Sequence, residues 1–381
     1  MMKSFLRHLL TVGWLIYAAP LMAQSASNEN DCLLCDEAAQ LIERFKLRED
    51  AQPVRERENW RAPQKILTGF NERFADMVRA VAPDADVVYA KNEAELLSHI
   101  EDADVYLGDC TPELMERGVN LRWVQTPFAG ANKCTSEPAF LERNILLTNM
   151  QRIYGPPIGQ HAIALMLALA NRLPEFNAEQ DAGEWTGFMN PFQRGGRLEV
   201  AGKTLLVVGL GGIGTEIAWR AHGLGMRVIA TRRSSREGPE FVDYVGLADE
   251  LLQLATEAHV IASALPLTNE TTGLFDEEFF SAVPEGALFI NVGRGESVVT
   301  DDLLAALESG RIGGAGLDVT DPEPLPPGHP LWTAPNTILT PHVANGTRVS
   351  ISRAVAIVME NLRRYVAGRP MLNVVDVERG Y

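Results

Sequence analysis

Three residues late in the chain have the types and the setting for carbonyl chemistry: Arg294, Glu323 and His342. Arg294 stands in Asn291-Val292-Gly293-Arg294-Gly295, Glu323 in Asp321-Pro322-Glu323-Pro324, and His342 in Thr340-Pro341-His342-Val343-Ala344. An imidazole, with an unperturbed pKa of about 6.5, can give and take a proton near neutral pH. A carboxylate beside it favours imidazolium and orients the ring. A guanidinium grips a carboxylate in a two-pronged hold and can face the negative charge that grows on a carbonyl oxygen. Such a set suits the reduction of a 2-keto acid. Read blandly, Arg294 is a surface ion-pairing residue and Glu323 a solvated loop acid. The chain has seven histidines, so one alone signifies little. His161 lies in an apolar stretch and reads as a packed or capping residue, and His329 as loop. His342 stands apart because Pro341 fixes its approach and the apolar run 337–339 leads into it.

A hydride source is legible upstream. Gly209-Leu210-Gly211-Gly212-Ile213-Gly214 follows the apolar run 202–208 and opens an amphipathic stretch over 213–221. That context makes it a dinucleotide fingerprint rather than a glycine-rich turn. Gly209 permits the tight turn, Gly211 lets backbone approach a pyrophosphate, and Gly214 allows close helix–strand packing. Free N–H groups at the helix start then face the phosphates. An NAD enzyme places an acid about 20 residues on, to bond the ribose 2′-hydroxyl. Here Thr231-Arg232-Arg233-Ser234 occupies that place. A guanidinium matches a 2′-phosphate, so Arg232, Arg233 and Ser234 predict NADP(H) as the preferred cofactor, with NAD(H) possible.

The elements that must carry these residues alternate. Short apolar runs at 66–68, 87–89, 105–107, 123–125 and 145–147 read as strands, with helical segments at 94–100 and 112–117. A second set reads as strands at 202–208, 227–230, 259–262, 287–291, 314–318 and 337–339. Strand–helix alternation predicts an α/β protein with parallel sheets covered on both faces. The run 159–173 reads as a nearly all-apolar helix, buried between domains or at a subunit interface. A last amphipathic helix is expected over 347–367, ending before Gly368 and Pro370.

At 381 residues with 46% hydrophobic content, two domains are expected. A net charge of −16 argues against a nucleic-acid surface. Lys3 and Arg7 followed by the apolar stretch 9–23 read as a secretory signal, cleaved near Ala23. That predicts a periplasmic or secreted protein with no membrane anchor after processing, and a cytoplasmic one if the signal is not real. Residues 36–47 have helical apolar spacing, and a charged linker with Pro53 and Pro63 follows. Residues 24–63 thus read as an extension outside the first domain. A local Cys32–Cys35 disulfide is plausible in an exported chain. Cys110 and Cys134 read as two buried thiols, and no metal site is expected, since two thiolates alone do not make one.

From about Gln64 to the C-terminus, the order and contexts of Arg294, Glu323 and His342 behind the fingerprint resemble the D-isomer-specific 2-hydroxyacid dehydrogenase family, which includes glyoxylate and hydroxypyruvate reductases. The 29-residue step from Arg294 to Glu323 matches the family. A formate dehydrogenase of this fold would carry Gln at Glu323. The resemblance implies two Rossmann-like domains with a cleft between them. The substrate domain would be discontinuous, over 64–156 and 346–381, because the last helix crosses back to it, and the NAD(P)-binding domain would span 157–345. It implies that Pro266 and Thr268 line the cofactor, as do Val292 and, near the nicotinamide carboxamide, Asp318. Backbone N–H groups of Ala129 and Gly130 would bind the substrate carboxylate. Phe128, Tyr154 and Trp332 are candidate pocket walls. A homodimer acting on a small 2-keto or 2-hydroxy acid is implied. The other class open at this point is a non-catalytic NAD(P)-sensing or interaction protein on the same fold, like the corepressors that resemble these enzymes.

Overall fold

The computed structural model describes residues 29–187 and 197–380. The expected signal at 1–23 lies outside the described residues, as does the side chain of Cys32 and with it the suggested Cys32–Cys35 pairing. The chain divides into two compact units, one of residues up to Tyr154 together with those from Gly346 onward, the other Gly155–Asn345.

In the first unit β1 (Glu49–Pro53) pairs antiparallel with the strand Pro370–Leu372. Strands β2 (Lys65–Thr68), β3 (Asp86–Tyr89), β4 (Val105–Leu107), β5 (Trp123–Gln125) and β6 (Leu146–Thr148) form a parallel sheet in the order β3-β2-β4-β5-β6. Every residue of β4, β5 and β6 is buried, which is why these strands read as apolar runs, the two polar exceptions being Gln125 and Thr148. The helix Arg348–Val366 belongs to this unit. It opens on a reciprocal cap, Ser350 N to Thr347 Oγ1 at 3.1 Å and Thr347 N to Ser350 Oγ at 3.1 Å, which satisfies two backbone donors that a helix start leaves orphaned. Tyr365 stacks on Trp123 with ring centres 4.8 Å apart. Buried Asn361 bonds Gln125 Oε1 at 2.9 Å and both backbone groups of Leu372 at 2.8 and 3.1 Å.

The segment expected as a charged linker is partly a strand. Residues 49–53 (Glu-Asp-Ala-Gln-Pro) carry no alternating apolar pattern, and they are extended because the strand Pro370–Leu372 offers them an edge. The preceding helix, Glu29–Phe45, packs on the helix Arg348–Val366.

Cys110 and Cys134 are not thiols. They form a disulfide, with Cα atoms 5.1 Å apart. Cys110 follows β4 and Cys134 follows β5, and these two strands are neighbours in the parallel sheet. Segments leaving adjacent parallel strands emerge side by side, a proximity that the 24-residue separation hides. Closing a loop of that length stabilises the fold by about 3 kcal/mol in the chain-entropy account.

The second unit contains seven parallel strands: β7 (Thr204–Val208), β8 (Arg227–Arg232), β9 (Tyr244–Leu247), β10 (Val260–Ser263), β11 (Ala287–Asn291), β12 (Ile312–Leu317) and β13 (Thr337–Leu339). Their order is β13-β12-β11-β10-β7-β8-β9. The chain builds outward from β7 to β8 and β9, then returns to the other side of β7 with β10, so the order reverses between β7 and β10. Phe275, Phe279, Phe280 and Phe289 meet edge-to-face beneath the sheet. The apolar helix runs from Gly155 to Ala170 and not through residue 173. Arg172 takes a left-handed φ of 58° and a separate helix, Leu173–Ala182, follows. Within this unit the helix packs on β11, β12 and the helix Gly212–Gly223. A Cβ on Gly159 would stand 2.9–3.0 Å from Glu216, so its glycine permits the close approach of the two helices.

Candidate active site

In a doubly wound sheet, ligands bind beyond the carboxyl ends of the strands at the point where the order reverses. The candidate cofactor and catalytic residues of the second unit lie at or beyond such ends. The turn 209–214 leaves β7, Arg232 ends β8, the loop 264–268 leaves β10, Val292–Arg294 leave β11, Asp318 follows β12, and His342 comes shortly after β13.

The glycine turn fits a dinucleotide phosphate. Gly209 has φ of 95°, which side-chain-bearing residues rarely adopt. A Cβ on Gly214 would overlap the Gly209 carbonyl oxygen, while one on Gly211 would meet nothing within 4 Å. Gly211 therefore faces open space, and Gly212 and Ile213 start a 12-residue helix whose first N–H groups have no intrahelical partner. Arg232 Nε donates to Leu210 O, inside this turn, at 3.0 Å. Its two Nη atoms bond no described residue. Arg233 and Ser234 are exposed beside it, with Arg233 Nη2 3.8 Å from Glu270 Oε1. The loop through Pro266 and Thr268 is closed by Thr271, whose hydroxyl donates to Pro266 O at 2.7 Å and accepts from Thr268 N at 2.8 Å. The Thr268 hydroxyl, first among several groups, holds the Glu270 carboxyl below its ordinary range. Leu265 of this loop abuts both Gly209 and Gly293, so the fingerprint, the 264–268 loop and the Arg294 loop are contiguous.

Arg294 is positioned from its own backbone outward. Asn291 Oδ1 accepts from Gly293 N at 3.0 Å, and Asn291 Nδ2 donates to Arg294 O at 2.9 Å. The guanidinium Nη1 donates to Gly293 O at 2.7 Å. Burial pulls the guanidinium below its usual value, opposed by the charges of Glu323 and Glu296. An arginine has enough range to stay charged. Val292 is buried at 6% exposure. Gly295 presses on the loop that leads to Glu323: a Cβ there would overlap Thr320 O. Backbone cannot give way as a side chain tip can, so Gly295→Ala should part the Arg294 loop from the Glu323 loop. Overpacking of this kind costs about 1–3 kcal/mol. A lower unfolding midpoint together with a lost fraction of turnover is expected, and a Gly295→Ala chain with both intact would contradict the contact.

Glu323 and His342 form a pair, with His342 Nδ1 2.8 Å from Glu323 Oε1. An ionised carboxylate only accepts, so Nδ1 carries the hydrogen and Nε2 is the ring atom left to meet an incoming oxygen. Both side chains are half-exposed, at 42% and 43%. Burial would push the Glu323 carboxyl up, but the bond and charge of His342, the Thr320 backbone and Arg294 together hold it below the usual carboxylate range. The backbone at His342 has φ of 53°, a left-handed conformation that costs a non-glycine residue about 1–2 kcal/mol. It is held there by bonds from His342 N to Asp318 O at 2.8 Å and to Thr340 O at 3.0 Å.

Residues 163–344 match the family model described as "D-isomer specific 2-hydroxyacid dehydrogenase, NAD binding domain". The chain is 32% identical over 324 residues to a glyoxylate reductase of Korarchaeum cryptofilum, covering 83% of this chain and 94% of that one. The chain belongs to the D-isomer specific 2-hydroxyacid dehydrogenase family. Solved structures agree. A D-isomer specific 2-hydroxyacid dehydrogenase from Xanthobacter autotrophicus Py2, in complex with NADPH and MES, superposes with a TM-score of 0.72 at 28% identity, over 84% of this chain and 100% of that one. An NADPH-dependent glyoxylate/hydroxypyruvate reductase from Sinorhizobium meliloti, in complex with NADP and sulfate, gives 0.72 at 26% identity, with 84% and 100% covered. This member of the family is accordingly an oxidoreductase with a nicotinamide cofactor.

Asp318 has an architectural task beside the cofactor role that the resemblance implies. Its carboxylate is 2% exposed. It accepts from Val343 N and Ala344 N at 3.0 Å each, and from the Thr340 hydroxyl at 2.6 Å. These bonds pin the segment that carries His342. Because Thr340 spends its only hydroxyl hydrogen on Asp318, His161 Nε2, 2.9 Å from Thr340 Oγ1, must be the donor in that contact. His161 is thus tied to the His342 segment. Its sequence signal, a polar ring on an otherwise apolar helix, was visible, but its partner 179 residues away was not.

In the first unit the loop 127–131 is anchored by its carbonyls. Pro127 O accepts from Tyr154 Oη at 2.7 Å, Phe128 O from Met150 N at 2.9 Å, and Ala129 O from Asn149 Nδ2 at 2.8 Å. Among the described residues nothing accepts from the N–H groups of Ala129 or Gly130. Tyr154, suggested as a pocket wall, is 2% exposed and braces this loop instead. Trp332 is 55% exposed and donates from Nε1 to Pro326 O at 2.9 Å.

Proposed function

We propose that the protein reduces a small 2-keto acid of the glyoxylate or hydroxypyruvate kind to the D-2-hydroxy acid, with NADPH preferred over NADH. The reading is carried by the His342–Glu323 pair at 2.8 Å, set at the carboxyl edge of the nucleotide-binding sheet within the electrostatic reach of Arg294. The glyoxylate reductase relative and the two neighbours solved with NADPH or NADP support the substrate class and the cofactor.

A bound nicotinamide would supply the hydride. The chain's own residues do the rest. Arg294 holds the substrate carboxylate and faces the carbonyl oxygen as negative charge develops there. His342 Nε2 delivers the proton to that oxygen. Glu323 keeps the ring in the productive tautomer and offsets its charge. In the first unit the uncommitted N–H groups of Ala129 and Gly130 offer a carboxylate an anion nest built from backbone. Following NADPH absorbance with glyoxylate, hydroxypyruvate and phenylpyruvate tests the assignment; no oxidation with any of them rejects it.

Cofactor choice rests on Arg232, tethered by Nε to the fingerprint turn with both Nη atoms open to a 2′-phosphate. A charge-assisted bond of this type is worth about 1.5–3 kcal/mol. Arg232→Ala/Arg233→Ala should therefore raise the KM for NADPH about tenfold to a hundredfold and leave that for NADH nearly unchanged. Equal changes for both cofactors would remove the preference from these residues. Homodimerisation is proposed from family likeness. Export through the N-terminal segment is proposed as well, and sequencing the mature N-terminus tests it.

A further inference from the structure

The two ends of the loop that offers the Ala129 and Gly130 N–H groups are held by different means. The entering side is tied by hydrogen bonds to Tyr154, Met150 and Asn149. The leaving side passes directly into the one-turn helix Asn132–Thr135, whose Cys134 is bonded to Cys110. Cys134 N donates to Ala131 O at 2.9 Å, and Ala131 is 4% exposed. Both cysteines sit in the buried cluster beneath the sheet with Leu114, Met115, Val124 and Phe140. Lys133 adds a weaker tie, 3.3 Å from Asp109 and 5.9 Å from the ring centre of Phe128. The disulfide is the one covalent link between the segment after β4 and the segment that closes the loop.

We propose that the Cys110–Cys134 disulfide positions the carboxylate-binding loop, and that the chain acquires full affinity for its keto acid only when this bond is formed in an oxidising compartment. This rests on the reading of Ala129 and Gly130 as carboxylate donors. Two thiols become one S–S bond with loss of two protons and two electrons. The electrons pass by thiol–disulfide exchange to a disulfide oxidant, which leaves as two thiols. Disulfides persist in exported proteins and are rare in reducing cytosol, which agrees with the basic and apolar segment at the N-terminus. At 4% and 1% exposure the bond is shielded from small thiols once the unit has folded, so it acts as a lasting brace and not as a reversible switch.

The test uses the full chain in a Cys32→Ser/Cys35→Ser background, so that only one bridge responds. Cys110→Ser/Cys134→Ser should raise the KM for glyoxylate about tenfold, with the KM for NADPH, held in the other unit, within twofold. Protein folded in reducing buffer should match the variant, and mass analysis of protein made in the oxidising compartment should find the two cysteines linked. A purely structural bond would lower the unfolding midpoint without separating the two KM values. Unchanged KM for glyoxylate, parallel changes in both KM values, or free thiols in exported protein would overturn the proposal. Should the serine pair fail to fold, Cys110→Ala/Cys134→Val fills the apolar site without a bond and is read the same way. Gly130→Pro, which deletes one donor N–H, separates the two levels. If it raises the KM for glyoxylate while the cysteine variants do not, the brace fails and the loop assignment stands. If Gly130→Pro leaves that KM unchanged, the loop assignment itself fails.

Discussion

A His342→Ala chain should bind NADPH as tightly as the parent and lose about 10²- to 10⁴-fold in kcat for keto-acid reduction, the range associated with removing a positioned proton donor. The ring does not contact the glycine turn, so cofactor affinity, read by fluorescence titration, is the control that separates lost chemistry from lost folding. The half-exposed ring adds little to the core, and alanine meets the same left-handed φ of 53° that histidine does, so stability should hold or fall slightly. Glu323→Gln is the milder companion. It keeps a group able to bond Nδ1 but removes the charge 2.8 Å away. Turnover should fall by less than in His342→Ala, because the amide can still hold the ring's tautomer but no longer offsets its charge. In the parent, Glu323 is held below the usual carboxylate range. A depressed acid keeps its charge above that lowered value, so the pair is intact at neutral pH and is lost only as pH falls through it. Undiminished kcat in His342→Ala would end the assignment of the proton donor.

What could be read from the amino-acid sequence was whatever local pattern encodes. Buried parallel strands are continuous apolar runs, so β2 to β5 and most strands of the second unit were legible within a residue or two. The fingerprint was legible because each glycine answers a backbone demand, and the overlap a Cβ would cause at Gly214 is that demand in atomic form. His342 was singled out by Pro341 and the run 337–339, and the fold sets its ring against Glu323. Pairings between distant segments were not. The sequence 49–53 has no strand signal, and only the partner strand Pro370–Leu372 makes it one. Cys110 and Cys134 looked isolated because sheet order, not spacing, brings them together. Asp318 was assigned to the cofactor, and its bonds to the backbone of Val343 and Ala344 came to light only in three dimensions. Hydrogen-bond partners that are 20 or 180 residues away leave no periodic trace. For the same reason the left-handed backbone of His342 had no sequence signature: histidine is an unremarkable letter until Asp318 bends the chain beneath it.

The second large effect should come from Arg294. Replacement by alanine removes the only group in the 291–295 loop that can face a carboxylate, and it removes it from a site where burial already weakens the guanidinium's hold on its proton. A charge in such surroundings interacts more strongly than one in water, and deleting one oxyanion-stabilising donor typically costs about 10²–10³ in kcat. Because the same side chain is proposed to bind the ground-state carboxylate, KM for the keto acid should rise as well, so kcat/KM falls further than kcat. NADPH affinity should be little changed, since the Arg294 guanidinium is tethered to Gly293 O in its own loop. Arg294→Lys discriminates between charge and shape. An ammonium restores the charge but not the planar two-pronged grip, so it should recover part of kcat while KM stays high. If lysine restored both constants, the fork would be irrelevant and simple electrostatic attraction would suffice. If alanine left both constants unchanged, the carboxylate would be held elsewhere, and the contiguity of the Arg294 and Glu323 loops through Gly295 would be architecture without a catalytic purpose.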